Sequence, residues 1–244
     1  MFIESQFQMN FFLVKKKLLR SKNALFISAL PLVAVLYVLL ADSLNTALKF
    51  FLFLFPYLFL FFSGDMMKDE IDSGILENVI FLEDRYRHYL FQKNFILFVL
   101  AFLFSASIFF SLTIASLLPG TFKWFYLFQF LAGTITGAYY IALSGWLSFY
   151  FRGGANIIIV IVGQITAIVS LFFSMQERTG FLYYLEKGEF PNLIAKIKLS
   201  LLVLIIPNFL ITKNLSSYLF LAILGAGLFL FLQWHTIKNL ELKK

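Results

Sequence analysis

Two histidines, His88 and His235, a serine beside a glycine in the run ALSGW (Ser144, Gly145) and a charged stretch from Lys68 to Lys93 are the parts of this chain whose residue types could do chemistry. Histidines hold zinc when their spacing lets them share one ion, as in HExxH on one helix face; His88 and His235 lie far apart, and no such motif surrounds either. A serine inside an apolar segment becomes a nucleophile only beside a base, and no histidine falls in the interior of a predicted span, so Ser144 and Gly145 read as small residues for helix packing. The GxxxxGK[ST] loop that cradles nucleotide phosphates is absent. Without cysteine, thiol chemistry, disulfides and thiolate metal sites are excluded. The expectation is a chain with no catalytic, cofactor-binding or metal-binding residues of its own.

The charged stretch, KDEIDSGILENVIFLEDRYRHYLFQK, is residues 68–93. At helical spacing Glu70, Ser73, Gly74, Glu77 and Asn78 share one face, and Ile71, Ile75, Leu76, Val79, Ile80 and Leu82 cover the other. The pattern predicts an amphipathic helix over 68–82, its apolar side on the end of a bundle and its acidic, glycine-bearing side free to meet another protein. Asp72 falls on the apolar side and is assigned to the helix start, where negative charge is favoured. Periodicity alone leaves open a solvated connector that keeps the loop soluble.

The elements that position this stretch belong to a membrane protein. Hydrophobic residues make up 61% of the chain, charged residues 14%, and mean hydropathy is +0.87. Apolar runs recur at 24–41, 46–64, 93–117, 124–151, 155–174 and 217–235, each near the ~20 residues a helix needs to cross. The predicted fold is all-α: a polytopic bundle of six transmembrane helices in one domain, residues 1–244. Phe7, Phe11, Val14 and Leu18 lie at helical spacing with Lys16, Lys17 and Arg20 displaced from them, so 1–22 reads as an interfacial helix. Lys15, Lys16, Lys17, Arg20 and Lys22 precede an apolar run without a small-residue cleavage site, and the first span is expected to stay.

Residues 193–211 contain Lys196 and Lys198 and are broken by Pro207, and read as a re-entrant helix within an outer loop, 175–216. With six spans the cytoplasmic side collects Lys15, Lys16, Lys17, Arg20, Lys22, Lys68, Arg85, Arg87, Lys93, Arg152, Lys238, Lys243 and Lys244; a seventh would send the last three outside, against the positive-inside bias. Both termini are expected in the cytoplasm of a bacterial plasma membrane. The net charge of +7 then serves orientation, not nucleic-acid binding. GTITG (Gly133 to Gly137) has the spacing that lets helices approach, for subunit contact or internal packing. Gln164 and Asn156, inside predicted spans, are neutral, and Asp42, Lys49 and Lys123 sit near span ends, so an ion gradient has little buried charge to act on.

The charged stretch resembles the loop between the second and third spans in permease subunits of type-2 ABC exporters, E-x-E-x-G-T-L-E-x-L-L…P-x-S-R…K. Glu70, Asp72, Gly74, Leu76 and Glu77 match its positions, Arg85 or Arg87 lies close to its arginine, and Lys93 matches the lysine opening the third span; Ile75 replaces the threonine, and no proline stands near Glu83. The layout of interfacial helix, two spans, loop, three spans, re-entrant region and final span is similar too. The resemblance implies that residues 68–80 act as a coupling helix seated in a separate ATP-binding cassette subunit, two copies of which bind ATP and Mg. It also implies a homodimer, or a heterodimer with a similar permease. FRGGAN, with Arg152 and Gly153, is a candidate second contact, or a turn that needs glycine's freedom. A pathway of aromatic and aliphatic side chains suits hydrophobic or amphipathic cargo, and the resemblance is to exporters of phenol-soluble-modulin-type peptides and to lantibiotic-immunity permeases. Export of lipids, lipid-linked polymer or drugs, and an ATP-independent carrier or scaffold, are the alternatives.

Overall fold

A computed structural model describes residues 8, 11–12, 36, 40, 44–54, 56–74, 76, 86–117, 123–174, 193–211 and 218–241. Most of the interfacial segment 1–22, most of the first apolar run 24–41, and residues 175–192 of the outer loop lie outside that set. The described elements are helices: α1 Leu44–Leu54, α2 Pro56–Ser63, α3 Lys68–Asp72, α4 Tyr86–Leu117, α5 Phe125–Leu147, α6 Gly153–Ser174, α7 Leu193–Ile205, a 3-10 helix Pro207–Ile211, and α8 Leu219–Glu241. Three of the described helices are long and apolar enough to cross a membrane: His88–Ser111, Phe125–Leu147 and Leu219–Asn239. The fold is all-α, and the chain is polytopic.

The apolar run 46–64 is helical on both sides of residue 55, which lies outside the described residues: α1 runs to Leu54 and α2 from Pro56. One predicted element is cut short. The amphipathic helix expected over 68–82 is only Lys68–Asp72 among the described residues. Ser73 caps it, and Gly74 follows at φ +71, the left-handed conformation that ends helices and that a Cβ disfavours. Leu76 is buried beyond the turn, and residues 77–85 are outside the described set.

The centre of the bundle is α5, 67% buried against 22% for the α8 span. Its small residues allow the close approach: a Cβ on Gly133 would stand 2.8 Å from Leu52 of α1, and one on Gly137 3.0 Å from Phe59 of α2. The glycine pair of GTITG therefore packs internally. One apolar core gathers Leu48, Leu52, Leu60, Met67, Tyr89 and Tyr140; a second, toward the other end, gathers Ala132, Leu199, Leu202, Ile206, Leu210 and Ala222. The 13-residue α7 is about 20 Å long at ~1.5 Å per residue, short of the ~30 Å hydrocarbon layer.

The end of α2, the start of α4, the end of α5, the start of α6 and the last turns of α8 meet at one end of the bundle. Lys93 reaches Met66, Met67 reaches Ser148, Arg152 reaches Asp72, and Tyr150 reaches Thr236.

Candidate functional site

At that end α3 is fastened by two charged contacts on opposite sides. Tyr89 and Lys93 are four residues apart on α4 and so share a face. The Tyr89 hydroxyl donates to Glu70 Oε2 at 2.7 Å, and Lys93 Nζ pairs with Glu70 Oε1 and donates to Met66 O at 2.6 Å. Nζ also lies 5.4 Å from the centre of the Tyr89 ring, within range of a cation–π contact. The Lys93 and Glu70 side chains are 8% and 13% exposed, so this pair is desolvated and held by its own partners.

On the other side Asp72 lies 3.1 Å from both Lys68 and Arg152. Hydrogen bonds from Lys68 and then Arg152 hold its carboxyl below the ordinary carboxylate range. Arg152 is 76% exposed, which leaves its ion pair open to screening by salt. The backbone is tied as well: Met67 N donates to Ser148 Oγ at 3.2 Å, and Asn156 Nδ2 donates to Gly64 O at 3.2 Å and Ser144 O at 3.1 Å. Ser144 Oγ in turn donates to Leu60 O at 3.0 Å. That hydroxyl belongs to the packing between α5 and α2, as read from its sequence context.

Of the residues singled out in the sequence, Glu70, Asp72, Gly74, Lys93 and Arg152 gather at this end, and Gly153 begins α6. They form two ion pairs, a grouping that spacing did not foretell. Glu70 was expected on the outward face; it turns inward to α4. Asp72 was expected at the start of its helix and is its last residue, where side-chain partners and not the helix terminus stabilise the charge. Arg87 lies within α4 and its side chain is not described; Glu77 and Arg85 lie outside the described residues. The outward surface of the loop is carried by exposed Asp69, Asp72 and Ser73 beside Gly74.

A second constellation, inside the bundle, went unread in the sequence. The Tyr57 hydroxyl donates to Gln164 Oε1 at 2.8 Å, and Gln164 Nε2 donates to the Tyr140 hydroxyl at 2.8 Å and to Ile205 O at 3.0 Å. Tyr140 donates to Asn208 Oδ1, Asn208 Nδ2 to Phe53 O, and Tyr139 to Ile205 O. The chain of contacts joins α1, α2, α5, α6, α7 and the 3-10 helix. Its cause is Pro207: where the helix breaks, carbonyls lose their partners, and an apolar interior must supply donors. The signal for it was the pairing of Pro207 with the polar Asn208 and of Tyr139 with Tyr140 inside apolar runs. A third polar link, Asn94 to Gln233 Oε1 at 2.8 Å and Gln233 to Ala142 O at 2.7 Å, ties α4, α8 and α5.

No protein-family model matches the chain, and neither a curated protein nor a solved structure matches it. What its own residues define is a multi-span, all-helical membrane protein with a charged loop clamped to one end, an arrangement consistent with a transporter-like role.

Proposed function

We propose that the chain is the membrane permease of an exporter driven by a separate ATP-binding cassette subunit, and that residues 68–74 are where force enters. The observation that carries this reading is the double clamp. A push on α3 is felt by α4 through Glu70–Lys93 and Tyr89, and by the turn between α5 and α6 through Asp72–Arg152 and Met67–Ser148. A connector that only kept the loop soluble would have no need of a desolvated ion pair, because such pairs contribute little net stability but fix geometry.

The partner side is Asp69, Asp72, Ser73 and Gly74, with Arg152 beside them. Two permease copies, as a homodimer or with a similar permease, would enclose one pathway and carry two ATPase subunits holding ATP and Mg. The loop and both termini are then cytoplasmic, in a bacterial plasma membrane. The apolar surface of the spans supports a hydrophobic or amphipathic cargo, with amphipathic peptides the first choice and lipids or drugs the alternative. Purification from native membranes with ATP hydrolysis as the readout tests it. An ATPase subunit that co-purifies, and whose turnover is stimulated by amphipathic peptide, is expected. Transport by the purified chain alone under an ion gradient would replace this reading with that of a carrier.

A further inference from the structure

Between α4, α5 and α8 runs a groove of about 350 Å³ that is apolar along almost its whole lining. Ala138 and Ala142 of α5, the buried central helix, form its floor; Phe91 and Phe95 of α4 form one wall, and Leu230 and Trp234 of α8 the other. Phe91 is 69% exposed, Phe95 47% and Leu230 43%, so the groove opens sideways, where a spanning bundle meets hydrocarbon. Helix-to-helix contact in a membrane needs small residues at the rim so that backbones can approach. Here the small residues lie at the floor and phenylalanines stand at the rim, which admits a flexible chain and keeps a second helix out.

One end of the groove is charged. His88 lies three residues before Phe91, and Lys238 lies four after Trp234, so each continues its wall by one helical turn toward the end that carries α3. Both are exposed, and neither has a hydrogen bond or ion pair among the described residues. An apolar slot that ends, at the level of the membrane surface, in the Lys238 ammonium and the His88 imidazole, a hydrogen-bonding group, complements an anionic headgroup with a hydrocarbon tail. We propose that the groove holds one acyl chain of a resident anionic phospholipid whose phosphate meets Lys238 and His88. The proposal concerns a different face from the ATPase site and stands without it.

The test uses the full chain reconstituted in mixed lipids, with brominated phosphatidylglycerol or phosphatidylcholine as quencher of Trp234. The share of Trp234 is the difference between the parent protein and Trp234→Phe. Phosphatidylglycerol is expected to quench it at roughly fivefold lower mole fraction than phosphatidylcholine. Lys238→Gln with His88→Gln should abolish that preference, and Ala138→Leu, which raises the floor, should weaken quenching by both lipids. Equal quenching by the two lipids in the parent overturns the proposal. So does protection of Trp234 that disappears when the protein is diluted into excess lipid, which would put a second copy in the groove. The Lys238 and His88 changes are at exposed positions and keep the test valid even if Ala138→Leu fails to fold.

Discussion

Removing the carboxylate of Glu70 should destabilise the protein more than any surface substitution in the charged loop. In Glu70→Ala, Lys93 Nζ loses the carboxylate it pairs with, and at 8% exposure of its side chain water does not replace that contact. Leaving one half of a buried pair uncompensated costs about 3–5 kcal/mol. Glu70→Gln keeps one acceptor oxygen, enough for Lys93 or Tyr89 but not both, and should cost about 1–3 kcal/mol. Lys93→Met placed on Glu70→Ala removes the buried ammonium as well, so the double variant should be more stable than Glu70→Ala alone. The coupling between the two positions should be about 2–3 kcal/mol. Unfolding by SDS titration in mixed micelles, followed by tryptophan fluorescence, measures each free energy. Costs that simply add, with a coupling below about 0.5 kcal/mol, would refute the buried clamp. The same arithmetic means that loss of transport in Glu70→Ala reports a damaged loop and not a damaged docking face; exposed Ser73 is the position for that question.

Further predictions follow from particular contacts. Because its partners hold the Asp72 carboxyl below 3.8, its contribution is fully present above that pH and is lost as pH falls through the lowered folded-state value. Protection of amides 68–74, taken relative to intrinsic exchange at the same pH, should therefore fall only below 3.8, and Asp72→Asn should remove that change in protection. Gly145→Ala puts a Cβ 2.5 Å from Gln233 Nε2 and should cost about 1–3 kcal/mol through overpacking. Gly163→Ala and Gly227→Ala, where a Cβ meets nothing within 4 Å, should stabilise by up to about 1 kcal/mol; thermal melts in detergent compare the three. Tyr140→Phe leaves Asn208 Oδ1 without its donor and Gln164 without one acceptor, and should cost about 1–3 kcal/mol by the same SDS titration.

Much of the helical content was legible because a membrane-spanning helix must be apolar over most of its length, as α5 and α8 are. The charged residues were legible too: Glu70, Asp72, Lys93 and Arg152 stand out in an apolar chain and do come together. Their pairing was not, since Glu70 meets Lys93, and Asp72 meets Arg152, across long stretches of sequence, and a helical plot sees only near neighbours. That plot also ran straight through Gly74, whose positive φ ends α3 after five residues, and so turned Glu70 outward. The network of Tyr57, Gln164, Tyr140 and Asn208 escaped because its purpose, supplying donors where Pro207 breaks a helix, exists only once α2, α5, α6 and α7 are packed.

Site-directed cross-linking at Ser73→Cys is the most direct test of force entering through α3, because the chain has no other cysteine. In native membranes a thiol cross-linker at this exposed position is expected to capture a subunit that binds and hydrolyses ATP, with a yield that changes when nucleotide is added. Labelling of the same position by a membrane-impermeant maleimide applied from outside intact cells, with no ATP-hydrolysing protein captured, would contradict it.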